Sequence, residues 1–165
     1  MFDDIDFDSL SVQELVQLYA MIINTARNRG LIRTKNFIGE IGEALVIEYY
    51  NNIPGLPNLA PAPIGTENID AISRNGERYS IKTTSSNVTG VFYGLQPRGS
   101  NETDTQRFEY VIICSFSDDY ELKGIYELTW ETFLQYKRWH ARVNAWNLPV
   151  NREVIEHSRV IFQAP

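Results

Sequence analysis

Apolar residues in the first fifty positions recur at helical intervals, whereas from about position 69 they alternate with polar ones. Leu15, Leu18, Ile22 and Ile23 fit a helix starting at Ser11, where Ser11-Val12-Gln13-Glu14 has capping-box spacing, and Gly30 ends the run. A second helix is expected from near Thr34–Asn36 to about Tyr50, with Ile38, Ile41, Leu45 and Val46 forming one stripe. Asn51-Asn52 and Pro54-Gly55 stop it. Four prolines between 53 and 65 predict an extended connection without a regular element. Ile69–Ser73 and Arg78–Lys82 alternate around Asn75-Gly76, the strongest hairpin signal in the chain. Residues 85–107 are polar and glycine-bearing around a short candidate strand, Val91-Phe92-Tyr93. Glu109–Phe116 reads as a buried central strand and Leu122–Leu128 as its neighbour, with Asp118-Asp119 at the turn. Thr129 caps a helix expected through about Trp139, and Arg159–Phe162 forms a last edge strand. Helices, then strands, then a helix predict an α/β (α+β) fold, a sheet flanked by helices. One domain over 1–165 is expected, with a helical segment at about 9–52, a sheet core at 66–128 and a helix and tail at 129–165.

A chain of 165 residues, 43% hydrophobic and 22% charged, can bury a sizeable core without covalent staples. Its single cysteine excludes an internal disulfide framework and a cysteine-based zinc site, and Cys114 within Val111–Cys114 reads as a small buried hydrophobe. No apolar stretch reaches membrane-spanning length, and Met1-Phe2-Asp3-Asp4 does not start a signal peptide, so a cytoplasmic protein with no membrane partner is expected. The net charge of −6 argues mildly against a nonspecific nucleic-acid coat. It is unevenly spread: Asp3, Asp4, Asp6, Asp8 and Glu14 open the chain, and Arg27, Arg29, Arg33 and Lys35 follow without an intervening acid. That basic group is a candidate nucleic-acid contact, with a solvated helix end as the plainer account.

Metal-dependent cleavage of a phosphodiester needs carboxylates to hold Mg²⁺ and a cation near the attacked phosphate. A hairpin can bring both together, because alternate residues of adjacent strands share one face. Asp70 and Lys82 lie on the two arms of the predicted hairpin, with Ser80 two positions before the lysine. Register decides whether they meet. A two-residue turn at Asn75-Gly76 would pair Asp70 with Ile81 and send Lys82 to the other face. A three-residue loop with Gly76 in the left-handed conformation pairs Ser73 with Glu77, sets Asp70 opposite Ser80, and puts Lys82 on the same face. The chemistry therefore predicts the bulged turn.

Asp70…Ser80-Ile81-Lys82 resembles the hairpin of the PD-(D/E)xK nuclease superfamily, an aspartate followed by acid-x-lysine. Upstream, Gly39-Glu40-Ile41-Gly42-Glu43-Ala44 resembles the glutamate-bearing first helix of restriction-endonuclease-like and Holliday-junction-resolvase-like proteins. The stretch Phe108–Leu128 with its capped helix is also similar to an uncharacterised bacterial domain family placed in that superfamily. The resemblance covers roughly residues 35–128. It implies a mixed central sheet with the site on its hairpin, and a Mg²⁺- or Mn²⁺-dependent endonuclease acting on DNA, of restriction or defence type. Asp70, Glu43 and the Ile81 carbonyl would hold the metal, with Glu40 a second helix candidate, and Lys82 would orient water and steady the developing charge. The sequence departs from the motif at Ser80, which stands where the second acid belongs; some members move that acid to the helix. Thr83 and Thr84 continue the lysine strand as candidate phosphate contacts. Many nucleases of this fold act as pairs, so a homodimer is a further expectation.

Plainer readings stand beside these. Asp70 and Lys82 would also suit a cross-strand ion pair, and Glu40 and Glu43 an exposed helix face. A catalytically silent module binding nucleic acid or a protein would tolerate Ser80, and an acidic DNA mimic would use the N-terminal aspartates. His140 and His157 lack metal-ligand or triad spacing, and Gly90, Gly94 and Gly99 form no phosphate loop. Tyr136–Arg142 interleaves basic and aromatic residues in a way that suits nucleic acid, although a helix end burying Trp139 is the simpler account.

Overall fold

The computed structural model describes residues 6–29, 39–63 and 65–165, except the side chains of Arg27 and Glu40. The expected helix end at Gly30, the start of the second helix near 34–36, and the candidate contacts Arg33 and Lys35 lie outside these residues.

Helix α1 (Val12–Asn28) begins with the predicted capping box: the Glu14 carboxylate accepts from the Ser11 amide at 2.9 Å, and Ser11 Oγ accepts from the Glu14 amide at 3.3 Å. Those hydrogen bonds hold the Glu14 carboxyl below its ordinary range. The stripe that α1 turns inward differs from expectation. Val12, Val16, Ala20 and Ile23 meet the core, while Leu15 and Ile22 face outward. Apolar spacing at i, i+3, i+7 fits either side of a helix carrying this many apolar residues, and only packing against helix α2 (Gly39–Asn52) chooses between them.

Six strands form one mixed sheet in the order β1-β2-β3-β4-β5-β8. They are β1 (Leu59–Pro61), β2 (Ala71–Ser73), β3 (Arg78–Thr84), β4 (Tyr110–Phe116), β5 (Leu122–Thr129) and β8 (Arg159–Gln163). Only β3 and β4 run parallel; all other neighbours are antiparallel. The expected α/β class is therefore observed. The proline-rich connection does include a short strand, β1, which needs no more than three residues against β2.

Strand β4 is buried on both faces, as its unbroken apolar run requires. One face, with Ile112, Cys114 and Phe116, meets Tyr79, Ile81, Ile125 and the two N-terminal helices. Burial pushes the Cys114 thiol well above its usual value, in keeping with an inert core residue. The other face, with Val111 and Ile113, is closed by an aromatic cluster. There Phe92 and Phe133 lie 4.7 Å apart and Phe108 and Trp130 5.1 Å apart, centroid to centroid.

Helix α3 (Trp130–Tyr136) is capped as predicted, Thr129 Oγ1 accepting from the Thr132 amide. It ends three residues before Trp139, because Lys137 turns extended and pairs with Asp104. The chain then forms a separate hairpin, β6 (Arg138–His140) with β7 (Ala145–Asn147), followed by the short helix α4 (Arg152–Glu156). Trp139 is thus not buried by a helix end; it stands across β6–β7 from Trp146. Among the described residues no helix is long and apolar enough to cross a membrane.

Candidate functional site

The β2–β3 turn takes the bulged form. Ala71 pairs with Tyr79 and Ile72 with Arg78, so Ser73 faces Glu77 across three residues. The Ser73 amide donates to the Glu77 carbonyl at 2.9 Å, and the Gly76 amide donates to the Ser73 carbonyl at 2.9 Å. Gly76 has φ of +84°, where a side chain would strain the backbone. Ser73 Oγ reinforces the loop by accepting from the amides of Asn75 and Glu77.

This register sets Asp70 against Ser80. Asp70 Oδ2 accepts from the Ile81 amide at 2.6 Å and from Ser80 Oγ at 3.3 Å, while the Asp70 amide donates to the Tyr79 carbonyl at 2.8 Å. Strand β2 stops at Ala71 but β3 continues to Thr84, so the half-buried Asp70 carboxylate caps an edge of β3 that no strand pairs among the described residues. The N–H and C=O of one strand residue leave on the same side. The Ile81 carbonyl therefore also faces the Asp70 edge.

Ser80 and Lys82 point to the aromatic face of the sheet. Ser80 is fully buried, and Lys82 is half-buried with Nζ 5.1 Å from the centroid of the Phe92 ring. Among the described ion pairs none joins Asp70 to Lys82, so the plain cross-strand pair is not formed. Phe92 was legible only as an apolar triplet inside a polar stretch; its role behind Lys82 needs the crossover between β3 and β4.

Helix α2 covers the opposite face. Gly42 backs onto Thr83 so closely that an added Cβ would sit 2.0 Å from Thr83 Oγ1. Glu43 is thus half-buried on a helix over the Tyr79–Ile81–Thr83 face, and only around the open β3 edge could it share a ligand with Asp70. The side chain of Glu40 is outside the described residues. Among the described residues no three His, Cys, Asp or Glu side chains gather as a metal-holding group.

The threonine hydroxyls are spent within the fold. Thr83 Oγ1 approaches the Gly39 carbonyl at 3.4 Å, and Thr84 Oγ1 donates to the Val88 carbonyl at 2.8 Å. Arg29 is exposed just beyond α1, and Arg27 lies on the last turn of that helix.

Sequence reasoning passed over Glu127. It is buried in β5, accepts from the Tyr50 hydroxyl at 2.6 Å and lies 3.6 Å from Arg159. Burial, with Glu127 beside it, drives the Tyr50 hydroxyl far above its ordinary value. A charge inside the apolar run Leu122–Leu128 was the available signal. Its satisfied partners describe a structural tie between α2 and β8. In comparison with known proteins, the chain matches no family model and no curated protein; the functional reading rests on the hairpin geometry.

Proposed function

We propose that this chain is a metal-dependent endonuclease that hydrolyses DNA phosphodiester bonds, of restriction or defence type, with its site at the Asp70–Ile81–Lys82 edge. The supporting observation is the register: the bulged turn brings Asp70 opposite Ser80 and onto the face of Lys82. The Asp70 carboxylate and the Ile81 carbonyl offer two hard oxygen donors at an open strand edge, the type that Mg²⁺ and Mn²⁺ take. Glu43, or Glu40 one turn earlier, would complete the set from α2. A bound ion would polarise the phosphate and lower the pKa of a coordinated water. Lys82, backed by Phe92, supplies a positive charge where negative charge develops. Its ring neighbour limits water around the amine on one side, which strengthens that interaction.

Cleavage of a duplex in Mg²⁺ or Mn²⁺, with Asp70→Asn and Lys82→Ala as variants, tests this reading. Both variants should lose about a hundredfold or more in rate while melting as wild type does. Unchanged cleavage in either one removes the mechanism. Calorimetric Mn²⁺ binding that disappears in both Asp70→Asn and Glu43→Gln would identify the helix glutamate as the replacement for the missing acid.

A second reading, a silent module that binds nucleic acid or a protein partner, is favoured by one observation. Ser80 is fully buried at the position of the second acid, and Asp70 Oδ2 already accepts two hydrogen bonds from β3. DNA binding with no product in either metal would select it.

A further inference from the structure

Between Glu131 and Glu153 the chain has no acidic residue, yet it carries Lys137, Arg138, His140, Arg142 and Arg152. In a molecule of net charge −6 this is a marked local reversal. Within it Arg138–Asn147 form the β6–β7 hairpin, separate from the main sheet, and its loop residues Ala141–Asn144 are all exposed. Arg138 and Arg142 are exposed, and among the described residues neither enters an ion pair. At the hairpin root Asp104 is engaged by Lys137, and in the same loop Glu102 accepts from the Gln96 side chain.

The hairpin is rigidly footed. Trp139 and Trp146 meet edge to face at 5.1 Å across the two strands. Trp146 Nε1 donates to the Gln96 carbonyl at 2.7 Å, and Lys137 Nζ lies 4.3 Å from the Trp146 ring centroid. The strands that carry Arg138 are therefore fixed in place before a ligand arrives, and only the arginine side chains remain to be ordered.

Its root also adjoins the candidate site. The Phe92 amide donates to the Trp146 carbonyl at 2.6 Å, and the ring of that same Phe92 lies under Lys82 Nζ. Lys82, Phe92 and Trp146 therefore form one continuous path from the site face to the base of the hairpin.

We infer that the β6–β7 hairpin grips the phosphate backbone of duplex DNA beside the Asp70–Lys82 edge, with Arg138 and Arg142 as the phosphate-binding groups. The inference rests on the nuclease reading for its choice of ligand, since a guanidinium pair alone would also suit other polyanions. Continuity with a site suited to phosphodiesters selects the nucleic acid. The planar forks of two arginines fix the duplex relative to Lys82 without reading its sequence.

The test is fluorescence anisotropy with a labelled 20-base-pair duplex over a salt series, in EDTA and again with Ca²⁺ in place of Mg²⁺. Each phosphate contact contributes about 0.9 to the slope of log affinity against log salt, so Arg138→Ala/Arg142→Ala should lower that slope by about 2. Affinity at low salt should fall by at least about tenfold. Arg74→Ala, which removes one exposed arginine in the β2–β3 turn at the other end of β3, is the control to compare with Arg138→Ala and Arg142→Ala singly, and it should leave the slope within about half a unit. An unchanged slope in the double variant overturns the hairpin assignment, and the nuclease reading then stands or falls on its own cleavage assay. Binding that depends on both arginines without cleavage in any metal keeps the grip and removes the nuclease. No duplex binding by wild type overturns the grip. Displacement of the duplex by polyglutamate at equal charge concentration reassigns the hairpin to an acidic protein and overturns it as well.

Discussion

A Cβ added to Gly42 would lie 2.0 Å from Thr83 Oγ1, 2.6 Å from its Cγ2 and 2.8 Å from its Cβ. Thr83 is β-branched and held in a strand, so its side chain has little room to swing aside. In an open helix interior, glycine to alanine gains about 1 kcal/mol from propensity alone. Here the sign should reverse. Gly42→Ala is expected to destabilise by about 1–3 kcal/mol, as overpacking does, read as a lower denaturant midpoint. Thr83→Ala should recover part of that loss in the double variant, because it removes two of the three clashing atoms. Additive costs in the double-mutant cycle would mean that helix and strand do not meet at this point. Tyr120 shows the opposite balance at residue scale: its φ of +62° is unfavourable for a side chain, yet the ring is buried in the core and the burial offsets the strain.

At the scale of the element, the β2–β3 hairpin depends on one glycine. Nothing lies within 4 Å of a Cβ at Gly76, so the requirement is the backbone alone. Gly76→Ala should cost about 1–2 kcal/mol, the penalty of left-handed backbone for an ordinary L-residue, while Gly76→Asn should cost less. Chemical denaturation distinguishes this from a packing defect, since the loss should be independent of side-chain size from alanine to serine. The functional stake is larger than the energy. A slip to the two-residue turn would move Lys82 to the α2 face and part it from Asp70. The second hairpin, β6–β7, lacks such a glycine; Asn144 takes φ of +48° at its loop end, a conformation asparagine tolerates.

Over the whole molecule, long-range ion pairs fasten the irregular parts to the sheet. Arg78 Nη2 lies 2.6 Å from Glu109 Oε1, tying the start of β3 to the end of the long crossover. The Arg78 guanidinium holds the Glu109 carboxyl below its ordinary range. A folded-state pKa below the unfolded one contributes stability above the unfolded carboxylate range, and that contribution disappears as pH falls through the folded value. Both side chains are about one-third exposed, so the effect is modest. Melting temperature should therefore decline in acid less steeply in Glu109→Gln than in wild type. Parallel declines would mean that solvent already screens the pair. Lys137 and Asp104 form a more buried tie, linking the 96–107 loop to the root of the β6–β7 hairpin.

Local chemistry in the chain determined a good deal. The Ser11 capping box, the Thr129 cap, the unbroken apolar run of β4 and the Asn75-Gly76 turn each rest on neighbours within a few residues, so their patterns survive without tertiary context. Turn chemistry at Asn75-Gly76 left the two-residue and the three-residue loop both open; the three-residue form was expected on the nuclease reading, and the fold adopts it. Tertiary structure decided what depends on distant partners. It chose which apolar stripe of α1 turns inward, because Leu15 and Val16 are equally apolar until α2 packs against one side. It ended α3 at Tyr136, because Lys137 finds Asp104 thirty-three positions away. It placed Phe92 beneath Lys82, and α2 on the face opposite that lysine, through the parallel β3–β4 pairing and its crossover. Side-chain periodicity fixes which residues share a face of one element; only packing between elements fixes which faces meet.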